Sequence, residues 1–392
     1  MIKKIDPGIV WLTGALSLLG VMMIYSTAGS AIMTRQITWL IFSILVAIIF
    51  SRISPRIWLN LSPVIYSLSI VMIVIILFKS DIYPKRWIKF GDFSIQPSEF
   101  AKFATVLMLA SYLSTRKKLQ SFSDMAVPIA ITGLPAVLIF LEPDLGAAQI
   151  FLPILIVMSY WAGMSGVKIL ILFSPFVSAA ASFSIYTWVV YMAILMVFLY
   201  FRKQLTDLVY GFASNSLVGL IMPLLWSSLK TYQQKRIIAF FSPWLDPQGM
   251  SWQIIQSKIA IGSGGLFGKG FLSGTQKKLE FLPERHTDFI FSCLGEEFGL
   301  VGITVVLGLY VYLIYRLLRL AKETRNRFSS IFVSGIMIWI AYQTFINIGV
   351  TIGLLPVTGV PLPFISYGGS ALLACFMAIG VSLSISKTKL AY

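Results

Sequence analysis

Charged residues are scarce in this sequence. They make up 12% of its 392 residues, whereas a soluble domain of ordinary composition carries about a quarter. Hydrophobic residues make up 57%, and the mean hydropathy is +0.86. Apolar runs of roughly 18 or more residues recur along the chain, and each can cross about 30 Å of hydrocarbon. These features exclude a soluble globular protein and indicate a polytopic membrane protein.

The sequence also lacks the alternation of polar and apolar residues that marks a membrane β-barrel, so the spans are predicted to be helical. Its two cysteines, Cys293 and Cys375, both fall in apolar segments and do not predict a disulfide framework. With His286 as the single histidine, a zinc site of histidine and thiolate ligands is not predicted. We therefore expect an all-α integral membrane protein that forms one transmembrane domain over residues 1–392.

The basic residues set the expected topology. Most lysines and arginines fall at the termini and in the short loops that are cytoplasmic if the chain starts inside, which predicts both termini in the cytoplasm. The net charge of +16 then reflects topology and attraction to anionic headgroups, with no nucleic-acid partner. Twelve spans are predicted, over 8–29, 36–51, 57–78, 98–113, 125–141, 147–163, 167–184, 187–201, 209–228, 288–315, 330–352 and 368–386.

Three segments on the predicted outer face are not ordinary loops. Residues 79–97 are rich in aromatic and basic side chains, which suits a segment at the membrane surface. Residues 230–287 form a long loop that is partly amphipathic and glycine-rich. Residues 353–369 carry three prolines and cannot form a regular helix. Because irregular backbone near a membrane must be covered by protein or line a watery cavity, these segments predict an outward-facing cavity.

The stretch LPERHTDFIFSCLGEEFG, residues 282–299, concentrates ionisable groups at the start of a span. Asp288 follows Thr287, a candidate helix N-cap, and the helix dipole there favours an ionised carboxylate that can accept a proton. The structural alternative is that Asp288 only completes the start of the helix and has no catalytic role. Glu296 and Glu297 are expected two to three turns deeper, with Glu297 packed as polar glue between helices.

Two further motifs place charge at span ends. In QPSEFAK, Glu99 and Lys102 lie three residues apart and can pair on one helix face, either as functional groups or only to lock helices together. In LEPDLGAAQ, Glu142 and Asp144 occupy an outer turn, for which a solvated turn with an N-cap aspartate is favoured. The glycine-rich stretch 262–270 does not match the Walker phosphate loop, and it lies outside, away from nucleotides.

Five motifs in order resemble the SEDS polymerases, the elongation type (RodA) more than the division type (FtsW). They read QPSEFAK, EPDLGAA, QSKIAIGSGGLFGKG, LEFLPERHTDFIFSCLGEEFGLVG and GLLPVTGVPLPFISYGGS, and they extend over most of the chain. The resemblance implies a SEDS-type helical bundle and a peptidoglycan glycosyltransferase. Such an enzyme polymerises lipid II into glycan strands on the outer face of the cytoplasmic membrane during cell elongation. The family usually has ten spans, and the three apolar runs in 167–228 suggest two more here.

The resemblance also implies roles for residues and partners. The essential aspartate of the family matches Asp288, and its intramembrane acid and base match Glu99 and Lys102. Its partners are lipid II and the nascent lipid-linked glycan, a class B penicillin-binding protein that supplies the transpeptidase, and the elongation machinery. A divalent cation, Mg²⁺ or Mn²⁺, could share the diphosphate charge, without a metal site built from protein ligands alone. Substrate-binding or supporting roles are expected for a wider set: Glu99, Lys102, Arg86, Lys258, Arg285, His286, Asp144 and Ser366.

A lipid II flippase is the alternative function. The intramembrane Glu99 and Lys102 would suit a transporter. Transporters, however, usually place charge near the bilayer midplane, on broken helices related by internal repeats. Here the charges cluster at the outer ends of spans and no repeat is visible, so transport ranks second. A scaffold that only recruits a synthase would leave the outer ionisable cluster without a purpose.

Overall fold

The computed structural model describes residues 5–79, 86–90, 93–116, 121–202, 204–228, 234, 250–275 and 284–388. The chain is a bundle of helices, as predicted, with one two-stranded antiparallel hairpin in the outer segment after the second helix. Its elements are α1 Pro7–Arg52, α2 Pro55–Lys79, β1 Ile88–Phe90, β2 Phe93–Ile95, α3 Pro97–Thr115, α4 Ala126–Leu141, α5 Leu145–Ala148, α6 Phe151–Trp161, α7 Gly166–Ala181, α8 Ile185–Phe201, α9 Leu205–Ser228, α10 Met250–Ser263, α11 Ile290–Glu323, α12 Arg327–Thr351 and α13 Gly369–Thr388.

Helix α1 contains two predicted spans and folds back between them. Gly29 has φ +80° and ψ −176°, a conformation that interrupts the helix and that residues with a Cβ rarely adopt. Both ends of α1 reach the same end of α13: the Asp6 amide donates to the Ser386 hydroxyl, and the Lys387 ammonium donates to the Ser51 carbonyl. The two arms therefore cross the membrane in opposite directions, as predicted for spans 8–29 and 36–51.

Helix α11 is broken in the same way, which corrects the predicted span 288–315. Gly299 has φ +63° and ψ −160°. A Cβ at Gly295 would lie 3.1 Å from Ile303 Cδ1, although residues eight apart on a continuous helix are separated by about 12 Å along the axis. The chain thus folds back at Gly299, so that a short arm precedes the spanning arm. The expectation that Glu296 and Glu297 lie deeper than Asp288 along one span is wrong.

Helix length and composition agree with a multi-pass membrane protein. Within the described ranges, seven helices are long and apolar enough to cross a membrane, α1 among them with its two arms. Three shorter apolar helices, Leu145–Trp161, Gly166–Ala181 and Ile185–Phe201, accompany them. Helix α3 was also predicted to span, and it carries the buried Glu99 and Lys102. The three apolar runs predicted in 167–228 form helices α7, α8 and α9, which pack on one another at one flank of the bundle.

The core sits where α3, α12 and α13 pack against α1 and α11. Among the candidate spans, α13 and α12 are the most buried. In their apolar 18-residue stretches, 83% and 67% of the residues are buried. Trp339 and Phe103 fill the centre of this core, and both are almost completely buried. The large exposed apolar side chains elsewhere, such as Val311 and Phe345, are the surface expected of helices in contact with lipid.

Contacts at the two ends of the bundle agree with the predicted topology. One end joins Arg316 to Asp6, Arg327 to the Ala162 carbonyl and Lys387 to the Ser51 carbonyl. The other end collects the ionisable motifs: the turn at 284–289, the loop at 353–368, the turn at 142–144 and the start of α3. Every predicted outer motif with described residues therefore lies at one end of the bundle.

Labelling tests the added helices directly. The turn between α8 and α9 holds Arg202, and the predicted inner position of Lys203 falls outside the described residues. We expect a cysteine introduced at Gln204 to resist a membrane-impermeant maleimide in intact spheroplasts and to react after permeabilisation. A cysteine at Phe183, exposed in the turn between α7 and α8, should react in intact cells. The opposite pattern would contradict twelve spans.

Candidate functional site

Asp288 lies in the turn that precedes α11, where its side chain is partly buried. The helix begins at Ile290, and its N-cap is Phe289 with no side-chain cap bond. The prediction that Thr287 caps a helix starting at Asp288 is wrong. The Thr287 hydroxyl turns back and donates to the Glu284 carbonyl at 3.1 Å and to Glu284 Oε2 at 3.0 Å. The turn, rather than the start of a regular helix, positions the carboxylate.

The proline-rich loop 353–368 holds this turn in place. Ser366 Oγ donates to the Thr287 carbonyl at 2.6 Å and accepts from the Leu362 amide at 2.8 Å. Asn347 Nδ2 donates to the backbone carbonyls of Asp288 and Val360, both at 2.9 Å. Ser366, predicted as a supporting residue, therefore acts on the backbone beside Asp288.

Two backbone conformations in the same loop define the space around the carboxylate. Gly359 has φ +74°, and a Cβ there would lie 3.6 Å from Asp288 Oδ2, so the small residue keeps the approach to the carboxylate open. Phe364 has φ +68° although it carries a side chain, and it is buried at 3% exposure. Such strained backbone persists only where its surroundings determine it, and it clusters at functional sites.

Glu99 and Lys102 form the predicted ion pair at the start of α3. Lys102 Nζ lies 2.6 Å from Glu99 Oε2, and the two side chains are 0% and 4% exposed. The ammonium also lies 5.4 Å from the centre of the Trp339 ring. A lysine without solvent contact is costly unless it is paired. The pair is therefore more deeply enclosed than the sequence indicated.

Asp144 joins three segments of the chain. Its Oδ1 accepts from the Ala147 amide, which confirms the predicted N-cap at the start of α5. Its Oδ2 accepts from Gln96 Nε2 at 2.9 Å, and Arg86 Nη1 lies 3.9 Å from Oδ1. Asp144 is only 5% exposed, so the favoured interpretation as a solvated turn is wrong. The next turn of chain contacts the proline-rich loop, because a Cβ at Gly146 would lie 2.1 Å from the Thr358 carbonyl oxygen.

Glu142 is a site residue that sequence reasoning placed in the same solvated turn. Its side chain is 1% exposed, and neither carboxylate oxygen has a hydrogen-bond partner among the described residues. The pKa of Glu142 is raised to about 8, chiefly by burial and also by the neighbouring Asp144, while Arg86 acts in the opposite direction. Arg86 Nε donates to the Glu142 backbone carbonyl at 3.3 Å and its Nη2 donates to that of Pro143. The only signal in the sequence was the proximity of two acids.

This raised pKa predicts how stability depends on pH. Between pH 4.5, the ordinary pKa of a glutamate, and about pH 8, the folded protein holds a proton on Glu142 that the unfolded chain releases. The contribution of this carboxyl to stability is therefore greatest below pH 4.5 and is lost as pH rises towards 8. We expect the melting temperature of wild type in detergent to fall relative to that of Glu142→Gln over this range. A difference that is constant with pH would contradict the assignment.

Arg285 and His286 lie beside Asp288 as predicted, whereas Lys258 does not contact this turn in any described interaction. Arg285 Nε donates to the Thr27 carbonyl at 2.9 Å, just before the break of α1 at Gly29. The His286 ring lies 5.5 Å from that of Tyr367. Burial lowers the pKa of His286 below its usual value; Glu284 acts against this shift and Arg285 adds to it. Lys258 is exposed and its side chain lies over Gly353, at the far end of the proline-rich loop.

The glycine-rich segment after α10 binds the broken end of α11. The Lys269 and Gly270 amides donate to the Glu296 and Glu297 carbonyls at 3.0 Å, and the Leu300 amide donates to the Gly265 carbonyl at 2.9 Å. These bonds satisfy backbone groups that the break at Gly299 exposes. Beside them, Glu296 Oε1 accepts from Lys269 Nζ at 2.8 Å.

The carboxylates of Glu296 and Glu297, next to the break, hold neighbouring segments together. Glu297 Oε1 accepts from the Ser26 hydroxyl, which fits its predicted role as polar glue between helices. Glu296 Oε1 also accepts from the Thr275 amide at 2.7 Å. Their carboxylates thus bind a loop and a neighbouring helix, which leaves Asp288 as the partly buried acid at the open turn.

A divalent cation does not fit the described residues as a resident group. Across those residues, no three His, Cys, Asp or Glu side chains cluster as they would around an ion. Asp288 alone supplies too few oxygen ligands for Mg²⁺ or Mn²⁺, which bind through one or two carboxylates together with substrate phosphates. No step of the chemistry below is therefore assigned to a metal.

Comparison with known proteins identifies the family. The profile of the FtsW/RodA/SpoVE cell cycle proteins matches residues 8–189 and 173–390. The chain is 35% identical to peptidoglycan glycosyltransferase MrdB of Escherichia coli K12, over 97% of this chain and 93% of the relative. It is 33% identical to peptidoglycan glycosyltransferase RodA of Treponema pallidum, over 96% of each.

Solved structures agree with this assignment over nearly the whole length. One, described as the structural coordination of polymerization and crosslinking by a peptidoglycan synthase complex, has 30% identity, a TM-score of 0.74 and 99% coverage of both chains. The crystal structure of the rod shape determining protein RodA of Thermus thermophilus has 26% identity and a TM-score of 0.67, over 99% of this chain and 98% of the other. The chain therefore belongs to the FtsW/RodA/SpoVE family of cell cycle proteins, on the RodA-like side that its five motifs had indicated.

Proposed function

We propose that this chain is a peptidoglycan glycosyltransferase that polymerises lipid II during cell elongation. The curated relatives MrdB and RodA carry that enzyme name over almost the full length of this chain. The observation that carries the proposal is the position of Asp288: a partly buried carboxylate at an open turn, beside Gly359, at the end of the bundle where the other ionisable motifs collect. Glycosyl transfer from a lipid diphosphate needs one carboxylate as base and cations for the leaving phosphates, and this turn offers both.

The reaction needs one base. The 4-hydroxyl of the acceptor sugar attacks the anomeric carbon of the donor, the new glycosidic bond forms, and the bond from that carbon to the diphosphate breaks. The electron pair leaves with the diphosphate, which does not need protonation, and the hydroxyl proton passes to Asp288. Glycoside hydrolysis differs because a pair of carboxylates flanks the bond that breaks. Asp288 is therefore assigned as general base. It contributes through its position beside the acceptor hydroxyl more than through strong basicity.

Cations near this turn would stabilise the charge that develops on the leaving diphosphate. Arg285 stands three residues before Asp288, and Arg86 binds the neighbouring turn at 142–144. A guanidinium is well suited to this role because its planar fork matches phosphate oxygens. Lys102 is enclosed with Glu99, so this pair is assigned to holding the site in shape. Any Mg²⁺ or Mn²⁺ would arrive with the substrate, bound mainly through the phosphate oxygens.

The proposal places the site on the outer face of the cytoplasmic membrane, with both termini in the cytoplasm. The distribution of basic residues supports this orientation. A class B penicillin-binding protein is proposed as the partner that cross-links the strands. The supporting observation is the similarity to a chain of a complex described as coordinating polymerization and crosslinking.

A flippase remains the competing function. The completely enclosed Lys102 and the broken helices at Gly29 and Gly299 are features that transporters also have. The breaks, however, reverse the chain at the outer end of the bundle and do not expose backbone to a central ion site. The clustering of Asp288, Arg285 and His286 in one outer turn favours chemistry at that face.

Purified protein supplied with labelled lipid II in detergent tests this proposal, with and without the penicillin-binding partner. We expect glycan strands from the chain alone or with its partner, and none from Asp288→Asn in either condition. Strands that form only with the partner, and equally well with Asp288→Asn, would place the polymerase activity in the partner and overturn the proposal.

A further inference from the structure

An apolar groove of about 310 Å³ opens on the side of the bundle between α1 and α11. Its walls come from the first arm of α1, from both arms of the broken α11 and from the glycine-rich segment after α10. The lining is almost wholly apolar: Leu19, Met22, Met23, Phe267, Leu294, Phe298, Val301, Gly302, Val305 and Val306. Phe267 at its edge is 81% exposed. The groove exists because the chain folds back at Gly299, which places both arms of α11 side by side.

The groove lies at the depth of the outer leaflet. The pair between Arg316 and Asp6 marks the inner end of α11 and α1. With 1.5 Å per residue, Val301 to Val306 lie about 15–23 Å above Arg316, and Leu19 to Met23 about 20–26 Å above Asp6. The hydrocarbon layer is about 30 Å thick, so both walls fall in its outer half. A groove with this lining at this depth is suited to an apolar chain from the outer leaflet.

The candidate active site lies close to the upper end of the groove. Arg285 Nε donates to the Thr27 carbonyl, one turn above Met23 on the same arm of α1. Arg285 is three residues from Asp288, the proposed general base. A lipid whose apolar chain occupies the groove would hold its headgroup phosphates at Arg285 and its first sugar near Asp288. A second groove between α1 and α13, lined by Ile5 and Ser51, lies at the opposite end of the bundle and lacks this continuity.

We propose that the groove between α1 and α11 holds the polyprenyl chain of the glycosyl donor, with the donor diphosphate at Arg285. This inference rests on the proposed function. It assigns the donor rather than the acceptor because the leaving diphosphate is bonded to the carbon that is attacked, whereas the diphosphate of the acceptor is a disaccharide away from the attacking hydroxyl. The growing strand is then retained by its lipid chain between additions, so the groove sets strand length.

Paired tryptophan substitutions on α11 test the groove. Val305→Trp fills it from a lining position, while Val311→Trp adds the same bulk to a lipid-facing position, 66% exposed, outside the lining. Strand length is measured at equal consumption of lipid II carrying either its full polyprenyl chain or a short one. With the full chain, we expect Val305→Trp to shorten the strands several-fold and Val311→Trp to match wild type. With the short chain, all three proteins should make equally short strands.

The outcomes separate the groove from the activity. If wild type polymerises and Val305→Trp makes strands of normal length, or if Val311→Trp shortens them equally, the groove assignment is wrong and the proposed function stands. If wild type makes no glycan, both fall. A photoreactive benzoylphenylalanine at Val301 should cross-link labelled lipid-linked glycan. Cross-linking only to diacyl phospholipid, or to a penicillin-binding partner in its place, would also overturn the assignment.

Discussion

Asp288→Asn is expected to reduce glycan polymerisation by a factor of about 10²–10⁴, the usual contribution of a general base. The amide keeps the shape of the carboxylate but cannot take the proton of the acceptor hydroxyl. Folding should survive, because the contacts that hold this turn act on its backbone: Asn347 binds the Asp288 carbonyl and Ser366 binds that of Thr287. The measurement is the initial rate of strand formation, together with the melting temperature of the purified variant.

Glu284→Gln is the matched control, since it makes the same change from acid to amide four residues away. Glu284 is exposed, and the oxygen of a glutamine could still accept from the Thr287 hydroxyl. We expect this variant to polymerise at nearly the wild-type rate. A comparable loss in both variants would mean that the charge of the turn matters rather than a placed base. An Asp288→Asn protein that fails to fold would assign Asp288 a structural role.

Lys102→Ala is expected to destabilise the protein by about 3–5 kcal/mol, because it leaves the carboxylate of Glu99 buried without its partner. The two side chains are 0% and 4% exposed and their charged atoms lie 2.6 Å apart. The alanine also removes the aliphatic stem that packs in the core near Trp339. Thermal unfolding in detergent measures the loss, with Lys322→Ala, at an exposed position on α11, as the control.

The double variant Glu99→Gln with Lys102→Met separates folding from activity. It removes both charges while keeping much of the volume, and replacing a whole buried pair is often close to neutral for stability. We expect most of the stability to return and polymerisation to remain impaired, because the pair also shapes the site. Full recovery of polymerisation would show that the charges serve only to lock helices together.

The helical bundle could be predicted from the sequence because apolar length alone decides it in a membrane. The pairing of Glu99 with Lys102 followed from helix geometry, since residues three apart share a face. The cap formed by Asp144 followed from its place in the turn just before the predicted span 147–163. These features depend on neighbours in sequence, and for this reason they were accessible without a structure.

Other features depend on contacts between distant segments and were missed. Gly299 has no sequence signal that separates a reversal from an ordinary glycine in a span, so Glu296 and Glu297 were placed along a continuous helix. Thr287 precedes an apolar run, a position that predicts a helix cap, but its hydroxyl donates to Glu284 instead. The burial of Glu142 depends on packing around the turn at 142–144, which a local pattern cannot predict.

The central claim is that the outer turn carrying Asp288 performs glycosyl transfer. Proteoliposomes that contain purified protein, with labelled lipid II in the leaflet on the side of this turn, test it most directly when glycan formation and transbilayer movement are measured together. We expect glycan strands that depend on Asp288, with lipid II crossing the bilayer no faster than in protein-free vesicles. Faster crossing without strand formation would contradict it and would establish the flippase.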